Sequence, residues 1–115
     1  MKTRKIFNLG SLLVFMQMKI KNKVVNLKEC KTIFSQLRGL MFRFKLKEDG
    51  LLFVFNKEKK VFLHMFFVFF PIDVVCLDEN KKIVEIIENV KPFDPLIICP
   101  KCKYVVELKR GLLDK

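Results

Sequence analysis

Cys99 and Cys102 bracket a Cys-Pro-Lys-Cys stretch, the sharpest local chemical signal in the sequence. Two thiols at that spacing can share a metal ion or form a labile disulfide. Structural zinc wants four nitrogen or sulfur ligands, often as two close pairs. Here there is one pair, because Cys30 and Cys76 are isolated in apolar contexts. Zinc at Cys99 and Cys102 is therefore the secondary reading, and the absence of a cofactor the preferred one. A thioredoxin-like role needs the pair at a helix start, where the thiolate is stabilised, whereas this pair precedes a strand-like run.

Asp73 is a different case. It follows Pro71 within an apolar run, and an acid there must be paired or solvated. It could act as a general base or hold a ligand. It could equally accept bonds from backbone amides or from a nearby arginine, and this structural role is preferred. His64 is the chain's one histidine, the side chain whose pKa suits acid–base work near neutrality. No serine or cysteine motif marks a nucleophile beside it. His64 is a secondary candidate, with a satisfied, partly buried histidine as the simpler reading.

The elements that must position these groups come from a chain of 115 residues, 51% hydrophobic, with 13 phenylalanines and no tryptophan. One domain with a Phe-rich core is expected, and disorder is not. The net charge of +11 is lopsided. Residues 1–60 hold 15 Lys/Arg against 4 Asp/Glu, while residues 61–115 hold 8 of each. A basic half can attract nucleic acid or an anionic surface, yet no nucleic-acid motif accompanies it. Solvated lysine faces that keep a Phe-rich protein soluble are the preferred account.

The run from Val61 to Leu77 carries a histidine, a proline and an acid, and its Val, Phe and Ile content favours strands over a membrane span. Residues 1–17 form a basic, then apolar, N-terminal extension of uncertain status, set apart from the core domain at 18–115. Its outline weakly resembles an export signal but lacks a small-residue cleavage site. A cytoplasmic location is expected, with export or anchoring as the alternative.

Residues 18–27 read as one or two strands, with a hairpin around Lys21–Lys23. Cys30, Ile33, Phe34 and Leu37 recur at helical spacing, which predicts a short helix near 28–38 ended by Gly39. Phe42, Phe44 and Leu46 alternate with basic residues before a turn at Asp49-Gly50. Strands follow at 51–55, 61–69, 72–77, 83–90 and 104–108, with polar turns at 56–60 and 78–82 and a loop at 91–101. The expected fold class is α+β: a small β-rich domain, mostly antiparallel sheet or barrel-like, with one short helix.

Four stretches then carry a resemblance: "LRGLMFR" (37–43), "DGLLFVF" (49–55), Met65 with "FFPIDVVCLD" (69–78), and "YVVELKRG" (104–111). In this order they resemble the prokaryotic family known as domain of unknown function 192, or uncharacterised protein family 0127, over about residues 18–113. The resemblance implies a compact β-rich fold with a short helix. It supplies no established activity.

Arg38 and Glu107 are the other charges inside those motifs, and a guanidinium paired with a carboxylate could hold a helix end to a strand. Together Arg38, Met65, Asp73 and Glu107 make the candidate binding cleft. The preferred function is an accessory domain that binds a small polar ligand or a protein segment. The alternatives are a hydrolase-like enzyme using Asp73 and Glu107, with or without His64, and a nucleic-acid or anionic-surface binder working through the basic first half. Catalysis by the carboxylate pair requires that both face one site.

Overall fold

The computed structural model describes residues 3–7, 14–30, 49–65 and 68–114. Lys21 and Asn22 both take left-handed backbone conformations, with φ of 51° and 65°. Two such residues in succession close the tight hairpin whose twist matches that of its strands. The turn joins β2 (Val14–Ile20) to β3 (Lys23–Cys30). Asp78 organises a second turn by accepting from the backbone N–H groups of Asn80 and Lys82, at 2.8 and 2.9 Å. That turn joins β5 (Ile72–Leu77) to β6 (Ile83–Val90).

With β1 (Thr3–Phe7), β4 (Gly50–Leu63) and β7 (Ile97–Lys109), these strands form one seven-stranded sheet ordered β1-β2-β3-β4-β7-β5-β6. Every pairing is antiparallel except β3 with β4. A short 3-10 turn, Leu112–Asp114, follows β7. The sheet is open, with β1 and β6 as its outer strands, so it is not a closed barrel.

Side chains alternate between two apolar layers, as a strand's two-residue period demands. Leu51, Phe53, Met65, Val68, Ile72, Val74, Cys76, Cys99, Cys102 and Val105 belong to the first layer. Met18, Ile20, Val25, Leu27, Leu52, Val75, Leu77, Val106 and Leu108 belong to the second, with Leu112 and Leu113 packed against it. β5 lies inside the sheet and is buried along its whole length, which matches its unbroken apolar sequence.

Several expectations need correction. Lys28–Cys30, assigned to the start of a helix, are the end of β3, and positions 31–38 lie outside the described residues. The described part is β-rich with only the 3-10 turn as helix, so the α+β label does not describe it. Residues 56–60 are not a turn between two strands: β4 continues through them, with register shifts against β7 between Val54 and Val61. Their polarity reflects a strand segment exposed to solvent, not a reversal of the chain. The strand expected at 61–69 stops at Leu63, because the backbone of Met65 turns to bond with Phe93 and Asp94. Cys99–Cys102 lie inside β7 and not in a loop before a strand. Within the stretch set apart as an extension, Thr3–Phe7 pairs with β2 as an outer strand of the sheet.

Candidate functional site

Asp73 is 1% exposed, yet its carboxylate is fully engaged. Oδ1 accepts from the backbone N–H of Asn89 at 2.8 Å. Oδ2 accepts from the backbone N–H of Gly111 at 3.1 Å and from Arg110 Nη1 at 3.3 Å. The sequence builds this clamp locally. Ile72 pairs with Val90 and Val74 with Ile87, so Asp73 stands opposite two residues, Glu88 and Asn89. This is a β-bulge, and Asn89 adopts φ 53° within it. Asparagine tolerates that left-handed conformation better than most residues. Gly111, with φ 85°, bends the chain after β7 so that its amide also reaches Asp73.

Above this clamp lies a pocket of about 340 Å³ lined by Lys23, Lys109, Arg110, Gly111 and Leu112. Lys23 comes from the start of β3 and Lys109 from the end of β7, two strands that flank β4. The Lys23 ammonium also donates to the carbonyl oxygen of Leu112, tying the 3-10 turn to β3. Lys23, Lys109 and Arg110 thus border one small cavity at the end of the sheet, and the neighbouring buried carboxylate already holds the arginine. Such an arrangement suits an anion, whose charge the two lysines and the guanidinium edge can share.

Glu107 stands elsewhere. It is directly opposite Val74 on β5 and Leu51 on β4, both in the first apolar layer. Asp73 is opposite Leu108, in the second layer. The two carboxylates therefore face opposite sides of the sheet and do not form a pair. Burial pushes the Glu107 carboxyl up to about 7. Met65 is buried in the first layer, where its backbone N–H donates to Asp94 O at 2.7 Å and its carbonyl accepts from Phe93 N at 2.8 Å. It anchors two loops to each other. His64 is exposed and follows the end of β4 remote from Leu51, so it is well separated from Glu107. Arg38 lies outside the described residues. Of the described members of the proposed cleft, Asp73 borders the basic pocket, through Arg110 and Gly111, and Met65 and Glu107 do not. The pocket's cations were missed, although "ELKRG" places Lys109 and Arg110 directly after Glu107.

The Cys-Pro-Lys-Cys pair is shaped by another bulge. Lys59 pairs with Cys102 and Val61 with Cys99, so Lys60 alone faces Pro100 and Lys101. The extra residue accommodates a proline that could not serve a regular ladder. It also turns Cys99 and Cys102 to the same face, where both join Cys76 in the first layer. All three are buried free thiols. Contact with the Cys99 thiol, followed by burial, pushes Cys76 far up. Burial, reinforced by Cys76, pushes Cys102 up to about 12. Thiols so shifted stay protonated near neutrality, and nucleophilic attack needs the thiolate. Among the described residues no group of three or more His, Cys, Asp or Glu side chains is placed to hold a metal ion.

An open mixed sheet with an acid-clamped turn and a basic pocket at one end defines a small β-rich fold. The family model for domain of unknown function 192, described as an uncharacterized ACR, matches residues 16–115, and the chain belongs to that family. A UPF0127 protein of Thermococcus sibiricus is 30% identical over 85 residues, covering 72% of this chain and 54% of the relative. A UPF0127 protein of Pyrococcus horikoshii is 32% identical over 79 residues, covering 67% of this chain and 68% of the relative. The chain thus spans about half the length of the Thermococcus relative.

Two crystal structures share the fold. A Novosphingobium aromaticivorans protein of unknown function superposes with a TM-score of 0.81 at 22% identity, over 96% of this chain and 84% of its own. A candidate transcription regulator from Sinorhizobium meliloti superposes with a TM-score of 0.75 at 24% identity, over 80% of this chain and 74% of its own. At these identities the likeness speaks for the fold alone. No helix among the described residues is long and apolar enough to cross a membrane.

Proposed function

We propose that this chain is a binding module that takes a small anionic ligand, through a carboxylate or phosphate group, in the pocket beside Asp73. The observation that carries the reading is the convergence of Lys23, Lys109 and Arg110 on one cavity. The fixed turn at Gly111 supports it, because a pre-formed site loses less entropy on binding. The reading keeps the expected small polar ligand and, of the expected cleft, Asp73, whereas Met65 and Glu107 belong to the first-layer side of the sheet. The hydrolase-like alternative loses its physical basis, since carboxylates on opposite faces cannot divide acid and base roles at one bond.

The test is isothermal titration calorimetry with inorganic phosphate and with citrate, at low and moderate salt. Binding that weakens with salt and falls at least tenfold in Lys109→Gln supports the proposal. Equal binding by Lys109→Gln, or none by the unmodified chain at low salt, overturns it.

A further inference from the structure

A second surface lies where β4 ends and β7 begins. Phe62 and Ile98 are directly opposite each other in register and are 62% and 48% exposed. Their neighbours Val61 and Cys99 point into the first layer, so Phe62 and Ile98 share the outer side of the sheet. Leu96, also exposed, precedes Ile97 on the same side as Ile98 by strand alternation. The adjoining loops carry Phe69 and Phe93, both exposed, in an edge-to-face contact with ring centroids 5.6 Å apart. These loops are one unit, because the Met65 backbone bonds to both Phe93 and Asp94.

A soluble protein seldom gathers three phenylalanines and two aliphatic residues at one tip without a use for them. The charges around them narrow the use. Lys60, Lys91 and Lys101 are exposed and adjoin these residues in the chain, whereas Lys59 shares the first-layer side with its partner Cys102; Asp94 is the one acid in residues 59–71 and 91–101. The Asp94 carboxylate accepts from the N–H of Leu96 at 3.2 Å and so serves the loop itself.

We infer that this tip docks on an anionic lipid surface, with Phe62, Phe69, Phe93, Leu96 and Ile98 entering the headgroup boundary and the lysines contacting lipid phosphates. Apolar side chains supply burial, and each lysine adds attraction that falls off within a Debye length. A second copy of the chain is the poorer occupant, because apposing two such tips would bring like-charged lysines together. The inference is independent of the basic pocket, which lies at the other end of β7.

The experiment is co-sedimentation with vesicles of phosphatidylcholine alone and of phosphatidylcholine with about one-third phosphatidylserine. The unmodified chain is compared with the double variant Phe62→Ser/Ile98→Ser, and with Lys60→Gln/Lys101→Gln. Since all four positions are exposed, each variant should keep the parent's unfolding midpoint, which is measured alongside. Expected is binding to the anionic vesicles alone, reduced roughly tenfold or more in each double variant and weakened by salt. Absence of binding overturns the inference, as does equal binding by the Phe62→Ser/Ile98→Ser variant. Concentration-dependent dimerisation that this variant abolishes, without vesicle binding by the parent, also overturns it and assigns the tip to a second copy.

Discussion

Asp73 and Glu107 sit one register step apart on neighbouring strands, yet their carboxylates point to opposite sides of the sheet. The sheet's alternation separates them so completely that they answer to different physics. Asp73 accepts from two backbone amides and a guanidinium, while Glu107 is drawn toward its neutral form by burial.

Removing the Asp73 carboxylate should therefore destabilise the chain severely. Asp73→Ala leaves two part-buried amides and part of a guanidinium without their acceptor, at a cost of roughly 1–3 kcal/mol. Urea denaturation should show a clearly lower midpoint with little change in slope. A midpoint equal to the parent's would mean that the clamp adds nothing to stability.

Glu107 predicts a dependence of stability on pH. Its folded pKa, about 7, lies above the unfolded value of 4.5, so between these values the folded state holds more proton. Stability should then fall as pH rises through that window and level off above it. Glu107→Gln removes the titration, so the variant should gain on the parent by roughly 1–3 kcal/mol above pH 7 and show little gain near pH 4.5. Chemical denaturation at pH 4.5, 6 and 8 checks the trend; a gain that does not change with pH would contradict it.

Gly50 is fixed by close approach. A Cβ there would lie 2.1 Å from the Glu107 carbonyl oxygen and 2.9 Å from Leu108 Cδ2. Gly50→Ala must push β4 off β7, so the usual entropic benefit of about 0.4–1 kcal/mol should be overwhelmed. The variant is expected to unfold at least several degrees below the parent in a thermal scan.

The hairpin between β2 and β3 offers the reverse case. Asn22 holds φ 65°, where glycine carries no steric cost. Asn22→Gly should be neutral or stabilising by up to about 1 kcal/mol, whereas Asn22→Val should cost about 1–2 kcal/mol. Parallel urea titrations of the two variants would separate them.

How much of this was legible follows from where the information lies. The Lys21–Asn22 hairpin, the Asp78 turn, and strands β5 and β6 are local, so turn residues and apolar runs revealed them. The centre of β4 was misread because exposed lysines in a strand look like a turn when burial is unknown. The helix reading at Cys30 followed helical spacing, but β3 continues through Lys28–Cys30 in parallel with β4. Asp73 was readable as an acid needing amides or an arginine, though its partner is Arg110. That it lies on the other face from Glu107 depends on strand register, and no spacing argument gives that. The same limit hid Lys23 and Lys109, which lie far apart in sequence and converge only through the strand order.

The place of β7 between β4 and β5 has a consequence for how the chain is made. Of the described strands β7 is the last to be synthesised, and β4 and β5 are joined in the sheet only through it. The β2–β3 and β5–β6 hairpins can close early, but they remain separate halves with their apolar faces uncovered. Loop closure of this length is slow compared with hairpin formation. Newly synthesised chains thus pass through a period of exposed strand edges, and their yield will depend on chaperone supply and temperature more than the stability of the finished sheet would suggest.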